Sequence, residues 1–590
     1  MARHFEQAGF DIRHPRIARY LELCQRMQDL PRHLGQHSGG MVICAGLLNR
    51  VVPIERASMP GRTVVQWDEE DCADLGIIKV DLLGLGMMAV LKDSMELIPR
   101  HYGKQIDLAA LPEDPRVYET LCKADTVGMF QVESRAQMAS IPHSAPARFY
   151  DLVVQVAIIR PGPIVGKMMH PYMRRRQGKE PVTYPHPLLE PVLKRTLGVP
   201  LFQEQLLRMA MTVASFSGAE AEELRRAVGM RRSMQRMKDL EGRLRSGMAR
   251  NGIGAEAQDN IVQGISSFAM YGFPESHAAS FALIAYASAY LKVYYLAAFT
   301  CGLLNNQPMG FYAPAVLVKD AQRHGLRVRP IDVLRSDWPC TLEAEADSSL
   351  ALRIGLNYAK GLRQSSADAL LMARHSDGPF TSVDDMAARV PELSRKELVL
   401  LAQIGALNSI GEVEHRRDAL WQVEEAGRPV GSLLRSAGAA PVAVRESMPL
   451  KPMTAEERLC ADYAGTGLTT GPHPMAYHRA ALRQEGVLSA QELLQCSSRQ
   501  SVSIAGCVIA RQRPGTAKGF VFLSLEDESG IANIIISPDV FEQNRMVVTR
   551  SRFLGIEGPL QNQDGVIHVK AQRIAALEIT SAGIRSHDFH

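Results

Sequence analysis

Nine cysteines (24, 44, 72, 122, 301, 340, 460, 496 and 507) are scattered along 590 residues without one Cys-x-x-Cys pair. That spacing argues against a structural zinc site or a disulfide framework and favours a reducing, cytoplasmic setting. No stretch of about eighteen apolar residues is free of charge. Met1-Ala-Arg-His-Phe-Glu-Gln7 carries no apolar signal core. Nothing in the sequence therefore marks secretion or a membrane. No period of about 20–50 residues recurs along the chain, which excludes a solenoid. Net charge is nearly absent as well: 67 Lys and Arg against 63 Asp and Glu leave +4, too little to identify a partner by itself. What is present is 46% apolar content, in a length that suits roughly three to five globular domains.

The distribution of charge says more than its sum. Between Arg225 and Arg250 stand nine cations (225, 226, 231, 232, 236, 238, 243, 245 and 250) against Asp239 and Glu241. Such a block suits a polyanion, the alternative being a solvated helix face. At Ile78-Lys-Val-Asp-Leu-Leu-Gly-Leu-Gly86 a short apolar strand carries Lys79 and Asp81 two residues apart, on one strand face. A carboxylate among Ile78, Val80, Leu82 and Leu83 is costly to bury unless it meets a cation, and Mg²⁺ with phosphate is a common functional partner. Asp81 could equally end the strand and cap the helix that follows. Two-metal phosphoryl transfer holds its ions roughly 3.5–4 Å apart with several acidic ligands, so one carboxylate is too few.

Periodicity divides the chain. Residues 15–33 read as helix, Met41-Val-Ile-Cys44 and Thr63-Val-Val-Gln-Trp67 as strands, and 87–330 as mainly helical. Tyr358-Ala-Lys-Gly-Leu362 before a helix and Leu400-Leu-Ala-Gln-Ile-Gly-Ala406 after one suggest two helix-hairpin-helix units, with Lys360, Gly361 and Gly405 at their turns. Residues 412–495 read as a linker and a helical segment, opened by a capping box at Thr454-Ala-Glu-Glu457. From Ser501 onward, short strands separated by turn residues suggest a five-stranded OB-type β-barrel, whose Phe520, Phe522, Arg511, Arg513 and Lys518 suit a nucleic-acid strand.

Arg160-Pro-Gly-Pro163 sets a guanidinium before a rigid turn, and Tyr172-Met-Arg-Arg-Arg176 adds a basic cluster. Guanidinium forks grip phosphate in bidentate fashion, although a structural arginine tied to carbonyls is the competing reading. Leu224-Arg-Arg-Ala-Val-Gly-Met-Arg-Arg232 places Arg225, Arg226, Arg231 and Arg232 around a glycine, where they could close on a triphosphate. In Tyr271-Gly-Phe-Pro-Glu-Ser-His277, Ser276 and His277 enter an apolar helix; His277 either meets an anion or serves capping and packing. Tyr286, Tyr290 and Tyr294 follow at helical spacing and read as a core stripe.

These residues, in this order, resemble the bacterial C-family DNA polymerases, the group that contains the polymerase III alpha subunit. The motifs are Gln36-His-Ser-Gly-Gly-Met-Val-Ile43, Lys79-Val-Asp-Leu-Leu-Gly-Leu85, Gly128-Met-Phe-Gln-Val-Glu-Ser134, Arg160-Pro-Gly-Pro163, Gln203-Glu-Gln205, Leu224-Arg-Arg-Ala227 and Tyr271–His277. Asp320–Asp332, Ser336-Asp-Trp-Pro-Cys340 and Ser586-His-Asp-Phe-His590 look most like the error-prone branch, associated with damage-induced mutagenesis and translesion synthesis. No clamp-binding peptide of the Gln-x-x-Leu/Met-x-Phe kind lies between the hairpins and the barrel, as in that branch.

The resemblance implies a multidomain α+β chain. Its parts would be a thumb remnant (1–33), part of the palm (34–86), helical fingers (87–330), tandem helix-hairpin-helix (331–411), a linker and helical segment (412–495), an OB-fold (496–580) and a tail (581–590). It implies that Asp81 is one of three palm carboxylates holding two Mg²⁺ ions, with Lys79 beside the reacting phosphate. The ions would activate a primer 3′-hydroxyl against an incoming dNTP. Arg160, Arg225 and Arg226, then Arg231, Arg232 and His277, would lie near the triphosphate. Lys360, Gly361, Gly405, Arg511, Arg513 and Lys518 would contact primed DNA. Accessory mutagenesis proteins and, indirectly, the sliding clamp would be partners. The departure is that the family's other two palm aspartates sit in a Pro-Asp-x-Asp-x-Asp strand, and no Asp-x-Asp occurs in this sequence. The expectation is a truncated chain, inactive alone, with a catalytically inactive DNA-binding or partner-binding remnant as the alternative.

Overall fold

The computed structural model describes residues 5, 11–27, 39–57, 61–67, 69–159, 166–229, 234–268, 273–411, 413–426, 450–514, 517–563, 566–579 and 586–589. The chain divides into two compact units, Met1–Leu85 and Gly86–His590.

In the first unit the helix Pro15–Arg26 starts with proline in its first turn, where the missing N–H costs nothing, and with the His14 ring accepting from the Arg16 amide. It ends seven residues before the expected 33; positions 28–33 lie outside the described residues. Four short strands follow: β1 (Gly40–Ile43), β2 (Ile54–Arg56), β3 (Thr63–Val65) and β4 (Ile78–Asp81). β1 pairs antiparallel with β4, placing Gly40 opposite Asp81 and Val42 opposite Lys79, and β2 pairs separately with β3. Two-stranded ribbons have little to bury against. Among the described residues of this unit, Val52 and Cys72 are the buried apolar side chains, while Met41, Ile43, Leu47, Leu75 and Ile78 are exposed.

The second unit is helical up to Arg323. One buried apolar cluster runs from Met87 and Val90 through Phe299 and Val318 to Leu352, Leu401 and Val423, continuous across position 330. Within it lies a three-stranded sheet that the sequence reading does not contain. β5 (Arg327–Arg329) runs parallel to β7 (Leu350–Arg353), and β6 (Thr341–Ala344) runs antiparallel to β7. Strands of three and four residues are too short to show a period. Both hairpin turns are present: Gly361 (φ 101°) precedes the helix Gln364–Asp377, and Gly405 (φ 80°) follows the helix Arg395–Gln403. These left-handed φ values favour glycine. The expected capping box also forms, Thr454 accepting from the Glu457 amide while Glu457 accepts from that of Thr454.

The C-terminal sheet contains β8 (Ser501–Gln512), β9 (Val521–Glu526), β10 (Ile531–Ile536), β11 (Phe553–Gln563), β12 (Val566–Lys570), β13 (Arg573–Ala576) and β14 (His587–Phe589). β8 pairs with β9, β9 with β10, β10 in parallel with β12, β12 with β11, and β11 again with β8, so the pairings form a circuit. β13 lies on β11, and β14 lies parallel to β8 at Ala510–Gln512. Five strands make the circuit, and β13 and β14 are further strands that cover parts of the β11 and β8 edges. Burial alternates strictly along β10, which turns Ala532, Ile534 and Ile536 inward.

Polar bonds fasten this sheet to the helices. Glu526, at the end of β9, lies 2.9 Å from Arg323, and its other oxygen is 3.6 Å from His473. Arg479 reaches Asp527 at 3.0 Å and also bonds Glu528. Removing one member of a buried pair costs about 3–5 kcal/mol, because the remaining charge stays in a poor solvent. Glu526→Gln, which preserves volume, is therefore expected to speed amide hydrogen exchange through β8, β9 and β10; exchange at the unmodified rate would contradict the bracing role.

Candidate nucleic-acid interface and metal seat

Asp81 closes β4, and one carboxylate oxygen accepts from the Leu83 amide at 2.9 Å, which turns the chain toward Gly84 (φ 123°) and the helix Leu85–Tyr102. The opposing backbone is very close: a Cβ on Gly39 would stand 2.9 Å from the Leu83 nitrogen and 3.1 Å from the Asp81 carboxylate. This explains the glycine in His-Ser-Gly-Gly. Lys79 and Asp81 share an exposed face, so the expectation of a buried carboxylate that needs a cation is corrected. The carboxylate is accessible, and it also makes the local turn that the alternative reading anticipated.

Among the described residues, the group of three or more ligating side chains close enough to share one ion is Asp125, Asp320 and His324, with donor atoms within 4.8 Å of each other. A cation already stands there. The buried Lys292 ammonium lies 3.1 Å from Asp125 and 2.9 Å from Asp320, and it donates to the Val127 carbonyl. Among the described residues Asp81 belongs to no such group, so the described side chains do not by themselves make a two-ion centre there.

Of the fingers arginines, Arg160, Arg231 and Arg232 lie outside the described residues, as does the side chain of Arg226 in the helix Gly218–Gly229. Arg225 is held half-buried by Glu222 at 2.7 and 2.9 Å and lies 3.4 Å from the Gln203 amide oxygen. In the basic cluster 174–176 the fold claims two members: Arg175 binds the carbonyls of Thr183 and Leu197, and Arg176 binds Asp151 and the Ser144 carbonyl. Gln203–Gln205 has a structural task. Gln205 accepts from the amides of Leu201 and Phe202, and Glu204 accepts from the Glu275 amide at the start of the helix Glu275–Tyr294. His277 in that helix is packed between aromatic rings, 5.0 Å from Phe273 and 4.2 Å from Phe281.

The expected DNA contacts divide by what already holds them. The Gly361 turn is open, with no atom within 4 Å of where a Cβ would be. Its neighbour Lys360 stays exposed, although its amide bonds the Gly465 carbonyl at 2.7 Å and its ammonium that of Tyr463 at 3.2 Å. Gly405 is covered: a Cβ there would stand 2.6 Å from the Arg416 guanidinium, which pairs with Asp462 at 2.7 Å. Arg511 braces the sheet through the Val548 carbonyl at 2.8 Å, the Ser551 carbonyl and the Ser586 hydroxyl. Phe522 lies 4.9 Å beneath the Arg135 guanidinium. Arg513, over the Phe541 ring, and Lys518 remain exposed. The partners that hold Arg511 and cover Gly405 lie beyond any local sequence pattern.

Family models match three segments in order. They are described as the bacterial DNA polymerase III alpha NTPase domain (residues 1–84), the bacterial DNA polymerase III alpha subunit finger domain (87–252) and a helix-hairpin-helix motif (325–419). The chain belongs to the bacterial C-family DNA polymerases. Within that family it groups with the error-prone branch. It is 48% identical over 99% of its length to an error-prone DNA polymerase of Anaeromyxobacter sp. (strain K), covering 52% of that protein. It is 45% identical to those of Alkalilimnicola ehrlichii and Pseudomonas syringae pv. syringae, covering 56% of each. The chain spans about half the length of these curated relatives. A solved structure, the asparaginyl-tRNA synthetase of Pyrococcus horikoshii complexed with asparaginyl-adenylate, overlaps 16% of this chain and 23% of its own, at TM-score 0.15 and 20% identity; that likeness carries no argument. No described helix is long and apolar enough to cross a membrane.

The Lys292 network is pH-sensitive. The hydrogen bond that the His324 ring donates to the Asp125 carboxylate raises His324 above its ordinary 6.5, against the opposing effect of burial. Burial pushes Asp125 up, but His324 and Lys292 outweigh it and hold the carboxyl well below 3.8. A raised histidine stabilises fully below its unfolded value and loses that contribution as pH rises through the folded one; a depressed carboxylate behaves in the opposite sense. The network therefore contributes most between pH 3.8 and 6.5. Amide exchange in the helix Pro314–Arg323 is expected to quicken, relative to intrinsic rates, above that window, and His324→Gln to abolish the dependence. An unchanged slope in the variant would assign the effect elsewhere.

Proposed function

We propose that this chain is the C-terminal portion of an error-prone DNA-directed DNA polymerase serving damage-induced mutagenesis and translesion synthesis, and that it supplies the DNA-holding part of that enzyme. The observation that carries the reading is the ordered match of polymerase III alpha NTPase-domain, finger-domain and helix-hairpin-helix segments in one chain that aligns over nearly its whole length with error-prone polymerases. In this reading residues 34–86 belong to the palm, 87–330 to the fingers, 331–411 to the hairpin domain and 496–580 to an OB-fold. The circuit β8-β9-β10-β12-β11-β8, with two short helices between β10 and β11, supports the OB assignment. The open Gly361 turn can offer backbone to phosphate, and the cations of 225–250 suit a duplex or single strand.

Asp81 contributes one carboxylate to a divalent-metal centre, Mg²⁺ by the family's chemistry, and Lys79 lies beside it. Because a single carboxylate does not complete such a centre, synthesis requires further acidic ligands, and the isolated chain binds primed DNA without extending it. The alternative, an independent binding remnant, shares the binding and differs in needing no such ligands.

Two measurements test the reading. Binding to primed DNA is expected to weaken steeply with salt, and neutralising Arg225, Arg226, Arg231 and Arg232 should flatten the log-log slope by about 0.9 for each phosphate that is no longer neutralised. Unchanged affinity in that variant removes this segment from the binding account. Primer extension by the isolated chain at the rate of a full-length relative would overturn the proposed division of labour.

A further inference from the structure

β8 is twelve residues long, and its two long neighbours do not share it evenly. On one side β9 pairs with it from Cys507 to Gln512. On the other side β11 pairs with it from Ser501 to Cys507, and the Val508 amide then bonds the Arg552 carbonyl at 2.8 Å. Past that bond β11 no longer runs alongside, so residues 510–512 form an edge that any extended chain could join through its backbone. The C-terminal tail takes that place. β14 runs parallel to β8, with His587 opposite Ala510, Asp588 opposite Arg511 and Phe589 opposite Gln512.

One side chain marks where the tail enters. Arg511 donates to the Ser586 hydroxyl, one residue before β14, and is itself held by the Val548 carbonyl at 2.8 Å and by the Ser551 carbonyl. The guanidinium is therefore positioned by the helix Arg545–Arg550 and the residue after it, whether or not the tail is present. The tail is held less firmly. Its three residues compare with six in β9 and six in β10. Parallel pairing is slightly weaker per residue, and short terminal elements open at the lowest local free energies. A fixed edge filled by an exchangeable strand is the arrangement of β-strand addition, in which backbone bonds supply affinity and single side chains supply selectivity. Ser586–His590 is also the tail motif that resembles the error-prone branch, and holding DNA gives it no task.

We propose that the Ala510–Gln512 edge of β8 is a peptide-docking seat, filled here by the chain's own tail, that accepts an extended segment of a partner protein running parallel to β8 with a serine or threonine against Arg511. The partner is defined by that chemistry: an unpaired backbone and a hydroxyl one residue before the paired run. The tail is its tethered competitor, so docking of the partner and release of the tail are one exchange. The seat does not depend on the DNA-holding role.

The test uses the full chain and a fluorescein-labelled peptide with the sequence of residues 583–590, read by fluorescence anisotropy. Neighbouring amides of a strand point to opposite edges, so His587→Pro together with Asp588→Pro removes whichever one faces β8 and frees the seat. The peptide is expected to bind this double variant about ten-fold more tightly than the unmodified chain, the advantage that a tether of roughly millimolar effective concentration gives the resident tail over a peptide of roughly 100 µM affinity. A peptide with alanine in place of its serine should bind the double variant more weakly. A second measurement needs no variant: saturating the unmodified chain with unlabelled peptide should speed amide exchange at 587–589 while 510–512 stay protected. Equal affinity for the two chains, or no binding and no change in exchange, would overturn the seat. A dimer of the unmodified chain in sedimentation equilibrium that the double variant does not form would assign the seat to the tail of a second copy and overturn the partner assignment.

Discussion

Arg135 projects from the helix Arg135–Ser144 into the C-terminal sheet, where one guanidinium nitrogen donates to the carbonyls of Leu523 and Ile534 at 2.9 and 2.8 Å. Burial pushes this guanidinium down to about 9, a measure of how poorly its surroundings solvate charge. A buried charge is tolerated only where directional bonds replace water. The sheet is therefore located against the helices by hydrogen-bond geometry, whereas apolar packing alone would permit sliding. Arg323 with Glu526 and Arg479 with Asp527 repeat the arrangement at the end of β9 and just beyond. Lys319 adds another link through the Gly471 carbonyl, and burial lowers its ammonium to about 8. One consequence is chemical: Phe522, an obvious aromatic for a nucleic-acid face, is occupied by Arg135.

The two units differ in what sustains them. Gly86–His590 has continuous apolar clusters, one of which joins the long helices to the hairpin domain. Met1–Leu85 has two ribbons of two strands and few buried side chains among those described. Ribbons of that size are marginal unless something covers a face. Asp81 sits on such a ribbon, with its position set by a turn bond and by the close approach of Gly39. A carboxylate placed this way has a defined direction.

Much of the architecture is legible because its signals are local. The strand at 78–81, the capping box at Thr454 and the two glycine turns each depend on neighbours a few residues away, and each forms. Tyr286 follows the core stripe reading, buried with its hydroxyl donating to the Pro112 carbonyl. The failures are equally physical. Strands β5 to β7 are too short to declare a period. The inward turn of Arg511 depends on Val548 and Ser586, 37 and 75 residues away. The Arg135 bonds span 388 and 399 residues. Lys292 is the acute case: a lysine in an apolar helix gives no sign that two carboxylates and a histidine converge on it.

Arginine has two structural uses that its shape makes interchangeable. Five donors in a rigid fork match phosphate oxygens, and they match paired backbone carbonyls equally well. Arg135, Arg175, Arg176, Arg374 and Arg511 all donate to carbonyls of this chain. The sequence cannot distinguish the two uses, because both need only a guanidinium near a turn or strand end; burial separates them, since a fork saturated by carbonyls has few donors left for a ligand. The electrostatic surface offered to a polyanion is therefore smaller than the number of arginines suggests. Among the described candidates the exposed groups are Lys360 beside the open Gly361 turn, Arg513 and Lys518, to which the sequence adds the dense segment 225–250.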